Sequence, residues 1–245
     1  MSSIQVIDRS ASLLDAIGQY EDPVSLKILS ADTGLHPSTA FRILGALMEA
    51  GFVEKDTAGH YMLGRKLVRL ASKVKRGVGL REQALDIMEE LRDAIGETVN
   101  LTVREGDEVI YIERVTSNRM MRVEQVIGSR APLHVTAVGK LMLAELGDHF
   151  IHAYADRTGI KPYTSHTVST EQDLLNIVHQ VKEKGFAYDN EEAEEGVGCI
   201  GVLIYDNSKN VVAGLSISAP IERRKEAWVA LVKDAGKRIS ERMGA

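Results

Sequence analysis

Ser216 and Ser218 lie two residues apart in the run Val211 to Ser218, and strand alternation divides that run into two faces. Val211, Ala213, Leu215 and Ile217 form a bulky apolar face; Val212, Gly214, Ser216 and Ser218 form a small one with two hydroxyls. The small face either leaves room for a ligand and offers donors to a carboxylate or carbonyl, or is a polar side turned to solvent. Cys199 with His134 would make a nucleophile and base, but no orienting third group or oxyanion loop accompanies them. The thiol is therefore expected to be a buried structural group or a ligand contact. His149, His152 and Asp156 have a spacing compatible with a metal ion, although surface histidines on a short helix are the simpler expectation. Asp189, Glu191, Glu192, Glu194 and Glu195 are expected to form a solvated loop at a pocket mouth rather than a cation site. Val138-Gly139-Lys140 is too short for a phosphate-binding loop. No catalytic residue, metal or cofactor is expected.

A second group of reactive side chains lies near the start of the chain. Ala40, Ile43, Leu44, Leu47 and Met48 recur at helical spacing behind His36-Pro37-Ser38-Thr39, and Gly51 ends the run. The opposite face carries Ser38, Thr39 and Arg42, which suit phosphate or base contacts; Arg42 either reads guanine bidentately or holds a phosphate. Two earlier helices are expected, over about 6–20 and 25–32, separated by the breaker Glu21-Asp22-Pro23. Thr33-Gly34-Leu35 turns the chain into the third. Strand-like Phe52 to Lys55 and His60 to Leu63 flank a turn, placing Lys55 and His60 where a wing meets the DNA backbone or minor groove. Helix, helix, turn, helix and hairpin is the order of a winged helix-turn-helix, whose third helix enters the major groove N-terminus first. His36, Ser38, Thr39, Arg42, Lys55 and His60 are the expected DNA contacts. A small helical bundle used for protein contacts is the alternative.

Charge supports the nucleic-acid reading. The 245-residue chain carries a net charge of −5, but eight Lys/Arg against three acids give residues 36–76 a net +5. A basic segment on an otherwise acidic chain is the usual footprint of a DNA-binding element. An apolar fraction of 44% with 27% charged residues suits a folded protein with a substantial core, and the length suits one large or two small domains. The longest nearly apolar stretch, Cys199 to Tyr205, is far short of a membrane span, and the first residues show no export signal. A cytoplasmic protein without membrane contact is expected. The single cysteine excludes an internal disulfide and a multi-thiolate zinc site.

The division expected from these patterns is a DNA-binding domain over 1–64, a linker helix over 65–78 and a second domain over 79–245, which the resemblance below implies to be effector-binding. Leu67, Val68, Leu70, Ala71 and Val74 give the linker an apolar stripe suited to packing against a second copy. Beyond it, helices are expected near 80–95, 135–146, 171–184 and 224–243. Strands are expected near 98–104, 109–114, 186–188, 199–205 and 211–218, with a further one near 121–124. The class is α+β, a mainly antiparallel sheet flanked by helices. Trp228 is expected in the core or an interface.

Several stretches taken together resemble the IclR family of bacterial transcriptional regulators. In the first domain they are Arg9-Ser10, Leu13-Leu14, His36 to Leu44 and Leu47 to Val53. In the second they are Pro132 to Ala144, Gly185 to Glu192 through Gly196, Cys199-Ile200 and Ser216 to Pro220. The resemblance spans nearly the whole chain in the family's order. It implies a winged helix-turn-helix, a linker helix and a GAF-like effector domain, assembled as a homodimer or a dimer of dimers. It also implies a double-stranded DNA operator and a small organic acid effector: a keto acid, sugar acid or aromatic acid of a catabolic pathway. Carried over by motif position, the effector contacts are Ala137, Val138, Asp189, Cys199, Ser216 and Ser218. One departure stands out, since Gly198 occupies the position before the cysteine where many members carry arginine. The reading from a different class is a metabolic enzyme or small-molecule-binding domain with an N-terminal protein-interaction module.

Overall fold

The computed structural model describes residues 4–71 and 78–245. The chain divides into two compact units, residues 1–75 and 76–245. Residues 72–77 of the expected linker, and the extreme N-terminus, lie outside the described residues.

The first unit contains α1 (Gln5–Gly18), α2 (Leu26–Thr33), α3 (Pro37–Glu49), the hairpin β1 (Val53–Lys55) and β2 (Tyr61–Leu63), and α4 (Arg65–Ala71). Ser25 caps α2, its hydroxyl accepting from the Ile28 N–H. Gly34 at φ 65° makes the tight turn into α3, a left-handed conformation that glycine adopts without steric cost. Ala40, Ile43, Leu44 and Leu47 of α3 are buried against Leu13, Ile17, Leu29 and the hairpin's Val53 and Tyr61. An isolated bridge between Val24 and Tyr61 ties the wing to the segment before α2.

The second unit opens with α5 (Val78–Ile95) and builds one six-stranded antiparallel sheet, β3 (Thr98–Glu105), β4 (Glu108–Val115), β5 (Arg130–Pro132), β6 (Ala187–Asn190), β7 (Val197–Tyr205) and β8 (Val211–Pro220), in the order β5-β4-β3-β8-β7-β6. Helices α5 and α9 (Trp228–Arg242) cover one face; α6 (Ala137–Leu146), α7 (Asp148–Thr158) and α8 (Glu171–Lys184) cover the other. Trp228, the first residue of α9, is buried in the core between that helix and the sheet. The expected strand near 121–124 does not form. The chain runs instead as a loop over 116–129 and joins the sheet edge at β5, where Pro132 is tolerated because an edge position needs no donor.

Both faces of β8 are buried, with Ser216 5% and Ser218 1% exposed, so neither side of this strand is turned to solvent. The N-terminal end of α6 seats on the hydroxyl-bearing face. A Cβ at Gly201 or Gly214 would stand 2.8 or 2.7 Å from the Val138 side chain, so these two glycines allow the helix to approach the sheet closely.

Candidate functional site

In the first unit, α3 presents Ser38 and Arg42 to solvent and Thr39 half-exposed, with the core stripe on its opposite side. His36 is the N-cap of α3: its Nδ1 accepts from the Ser38 N–H and lies 2.8 Å from the Ser38 hydroxyl. This residue therefore positions the helix start as well as being exposed beside it. Lys55 is exposed on the wing with its ammonium 4.8 Å from the Tyr61 ring centroid. His60 is half-buried, with Nδ1 3.6 Å from the Asp56 carboxylate. The Asp56 carboxyl is held below its ordinary value, first by the His60 N–H. The opposite end of α3 is closed by Lys66, which donates to the Ala50 carbonyl at 2.8 Å and covers Phe52.

In the second unit, five of the six expected effector contacts line one cavity of about 50 Å³: Ala137, Val138, Asp189, Cys199 and Ser216. They meet because β6, β7 and β8 are adjacent and in register, with Asp189 opposite Cys199 and Cys199 opposite Ser218. Ser218 lies just behind, its hydroxyl 3.3 Å from the Cys199 sulfur and accepting from Asn100 Nδ2 at 3.1 Å. Thr136 caps α6 through the Gly139 N–H, leaving the amides of Ala137 and Val138 without a partner inside the helix. That helix start carries partial positive charge, which suits an anion.

Burial pushes the Asp189 carboxyl up to about 6. Burial likewise raises the Cys199 thiol well above its ordinary range, which keeps it protonated and a poor nucleophile. His134 is no base for it. Its Nε2 lies 3.0 Å from the Lys161 carbonyl, which can only accept, so Nε2 carries the proton and Nδ1 accepts from the Tyr154 hydroxyl at 2.6 Å. Burial lowers the His134 pKa, favouring that neutral form.

The acidic segment departs from expectation. Glu194 and Glu195 are exposed, but Asp189 and Glu192 are buried. Glu192 forms an ion pair with Lys140, itself only 2% exposed, and the Glu192 N–H donates to Asp189 at 2.8 Å. Thr164 and Thr167 donate to the Glu191 and Glu192 carbonyls, both at 2.6 Å, so this segment is fastened beside the cavity. The buried pairing of Lys140 is not among the expected contacts, although a lone lysine among Val138, Leu141, Met142 and Leu143 is itself a signal. Of the histidines with metal-like spacing, His152 pairs with the Glu171 carboxylate.

Gly198 also has a local reason. A Cβ there would meet Ile221 at 2.5 Å and Arg224 at 3.3 Å. Arg224 fills this place, donating to the Asp189 carbonyl at 2.7 Å and to Asn190 Oδ1 at 2.6 Å while covering Tyr188. A guanidinium thus reaches the β6–β7 edge from the segment after β8. A larger hollow of about 560 Å³ lies by the β3–β4 turn, but its Arg130 already pairs with Glu105 and Glu108, and its His134 is committed as above.

Two family models match the chain. One, described as the IclR helix-turn-helix domain, matches residues 6–57; the other, described as bacterial transcriptional regulator IclR C-terminal, matches residues 72–241. Among curated relatives, the HTH-type transcriptional regulator KdgR of Dickeya chrysanthemi is 33% identical over 99% of this chain and 81% of its own length. The HTH-type transcriptional regulator XynR of Escherichia coli K12 is 30% identical over 100% of this chain and 99% of its own. Among solved structures, the IclR of Thermotoga maritima superposes with a TM-score of 0.77 at 28% identity, covering 99% of this chain and 100% of that one.

Proposed function

We propose, from the premise that this chain belongs to the IclR family of DNA-binding bacterial transcriptional regulators, that its operator affinity is set by a small organic acid held at the N-terminal end of α6. One observation carries this reading: the cavity combines two uncommitted helix-start amides with a buried carboxyl, a thiol and a hydroxyl. The amides of Ala137 and Val138 receive the effector's carboxylate, and the Ser216 hydroxyl donates to it. Asp189 helps only while neutral, donating its proton to the bound acid; once ionised it repels the acid. Cys199 and Ser218 complete the wall.

In the first unit, α3 enters the major groove with Ser38, Thr39 and Arg42 on the base edges and phosphates, while Lys55 and His60 reach the flanking backbone. The linker over 65–78, which begins with α4, joins this DNA-binding domain (1–64) to the effector domain (79–245). Val68 and Leu70 on α4 are 72% and 44% exposed, and Val6 and Ile7 on α1 are 56% and 60% exposed, so apolar surface is available for a second copy. A homodimer, or a dimer of dimers, then presents two α3 helices to half-sites about 34 Å apart, and effector binding changes their spacing. The acid is a product or substrate of a catabolic operon under the regulator's control.

Fluorescence anisotropy of the full chain on its own upstream DNA tests this reading across a salt series, with and without pyruvate, gluconate and benzoate. Sequence-preferring binding that weakens steeply with salt and shifts with one of these acids is the expected result. Binding unaffected by any carboxylic acid overturns it.

A further inference from the structure

Buried polar atoms without a partner are uncommon, and each calls for an explanation. Among the described residues, three such atoms belong to Asn100, Arg114 and Gln125, which the sheet register and the 116–129 loop bring to the side of the sheet that α6 covers. Asn100 is fully buried on β3, opposite Ser216 in the sheet register, and its Oδ1 has no partner although its Nδ2 is used. Arg114 on β4 stands opposite Asn100, so the row Gly201, Ser216, Asn100, Arg114 crosses four strands on the face that α6 covers. The Arg114 guanidinium holds the Gln125 carbonyl and the Glu124 carboxylate of the 116–129 loop, yet its Nε is buried and unpartnered. Gln125 lines the cavity, and its Oε1 is buried and unpartnered.

The chemistry of these unpartnered atoms is specific. Two are amide carbonyl oxygens, which accept hydrogen bonds only; one is a guanidinium N–H, which donates only. A plain carboxylate cannot satisfy the carbonyls, because it has no proton to give. Hydroxyl groups suit all three positions: each donates one hydrogen bond, so two of them serve the two carbonyls, and either can accept from Arg114.

We infer that Asn100, Arg114 and Gln125 form a second subsite that selects effectors carrying hydroxyl groups beyond the carboxylate, so that the acid recognised is a hydroxy or polyhydroxy acid. This inference rests on the α6 cavity being the effector site. The carboxylate lies at Ala137 and Val138, and the hydroxyls reach along the row toward β4. Because the cavity is small, entry of a longer acid requires Arg114 to loosen its grip on the 116–129 loop. Recognition at this end is thereby tied to the position of that loop.

Matched pairs of acids test the inference by isothermal titration calorimetry on the full chain: glycerate against propionate, tartrate against succinate, and gluconate against hexanoate. The two members of each pair have the same carbon skeleton and the same carboxylates and differ in hydroxyls. The expected result is that in at least one pair the hydroxylated acid binds about a hundredfold or more tightly, because a site built for a hydroxyl leaves buried groups unpaired when it is missing. Gln125→Leu, in a loop, should cut that preference tenfold or more; Arg114→Met provides a second reading of the same ratio. Equal binding within every pair overturns the subsite, as does a Gln125→Leu variant that weakens both members alike. If acids bind, Ser216→Ala weakens them, and hydroxyls make no difference, then the subsite fails while the α6 cavity stands. If none of the six acids binds, the organic-acid reading falls and the subsite with it.

Discussion

The two units place their candidate functional side chains in opposite environments. Those of the first unit lie within 25 residues of chain, from His36 to His60, and are largely solvent-facing around a small closed core. Those of the second are drawn from Asn100 to Ser218 and are almost wholly enclosed. An exposed DNA-reading surface works by long-range charge and is inexpensive to build, because water satisfies its groups until phosphate displaces it. An enclosed site must satisfy each polar atom internally or leave it for a ligand, so its substitutions carry larger consequences for stability.

The sharpest way to test this contrast is Lys140→Met. It leaves the buried Glu192 carboxylate unpaired and should cost the second unit about 3–5 kcal/mol in urea unfolding at pH 7. Removing both partners in Lys140→Met with Glu192→Leu should return most of that loss. A single variant as stable as the parent would mean that this site is not closed off from water.

Arg42→Ala is the counterpart in the first unit. It should weaken operator binding by about 5- to 150-fold, the range expected for losing one base-reading contact. The urea transition should be unchanged. Anisotropy against operator and scrambled duplexes checks it, and an equal loss on both would assign Arg42 to phosphate.

Asp189 gives the enclosed site a pH signature of its own. Its carboxyl titrates near 6 in the folded chain and near 3.8 when unfolded, so unfolding releases its proton between those values. Its contribution to stability is greatest below about pH 4 and is lost as pH rises to about 6, with a slope of up to about 1.4 kcal/mol per pH unit. Asp189→Asn should remove that part of the pH dependence in thermal melts from pH 4 to 8. Carboxylic acid affinity should also fall as pH rises through 6 in the parent but not in the variant.

The smallest effect is expected for Lys55→Ala on the wing. Loss of one phosphate contact should weaken all duplexes by a similar few-fold and lower the salt slope by about 1.

Legibility in the sequence follows the same division. The α3 stripe, the breaker before α2 and the β8 alternation are local patterns, and they led to the right elements. Whether the Ser216 and Ser218 face was solvated or enclosed depends on α6, which packs from about 75 residues away, so no local pattern decides it. Arg114 was hidden for a geometric reason. Simple alternation puts Tyr111 and Arg114, three residues apart, on opposite faces, but the irregularity where Leu101 pairs with Glu113 and Thr102 with Tyr111 brings both to the cavity side. The short edge strand β5 lacks β-branched residues and was missed for that reason, while Met121 to Glu124 has the alternation of a strand but runs in a loop, with Glu124 paired to Arg114 and Arg122.

The seam between β3 and β8 has a kinetic consequence. It joins Thr98 to Ser218, two residues 120 positions apart, and the cavity wall exists only once that seam is closed. Closing so long a loop is slow, because chain entropy is lost before the contacts compensate for it. A chain still folding therefore has nothing with which to hold the proposed effector. The ligand cannot act as a template for assembly, and its binding should slow unfolding of the finished unit while leaving the folding rate unchanged.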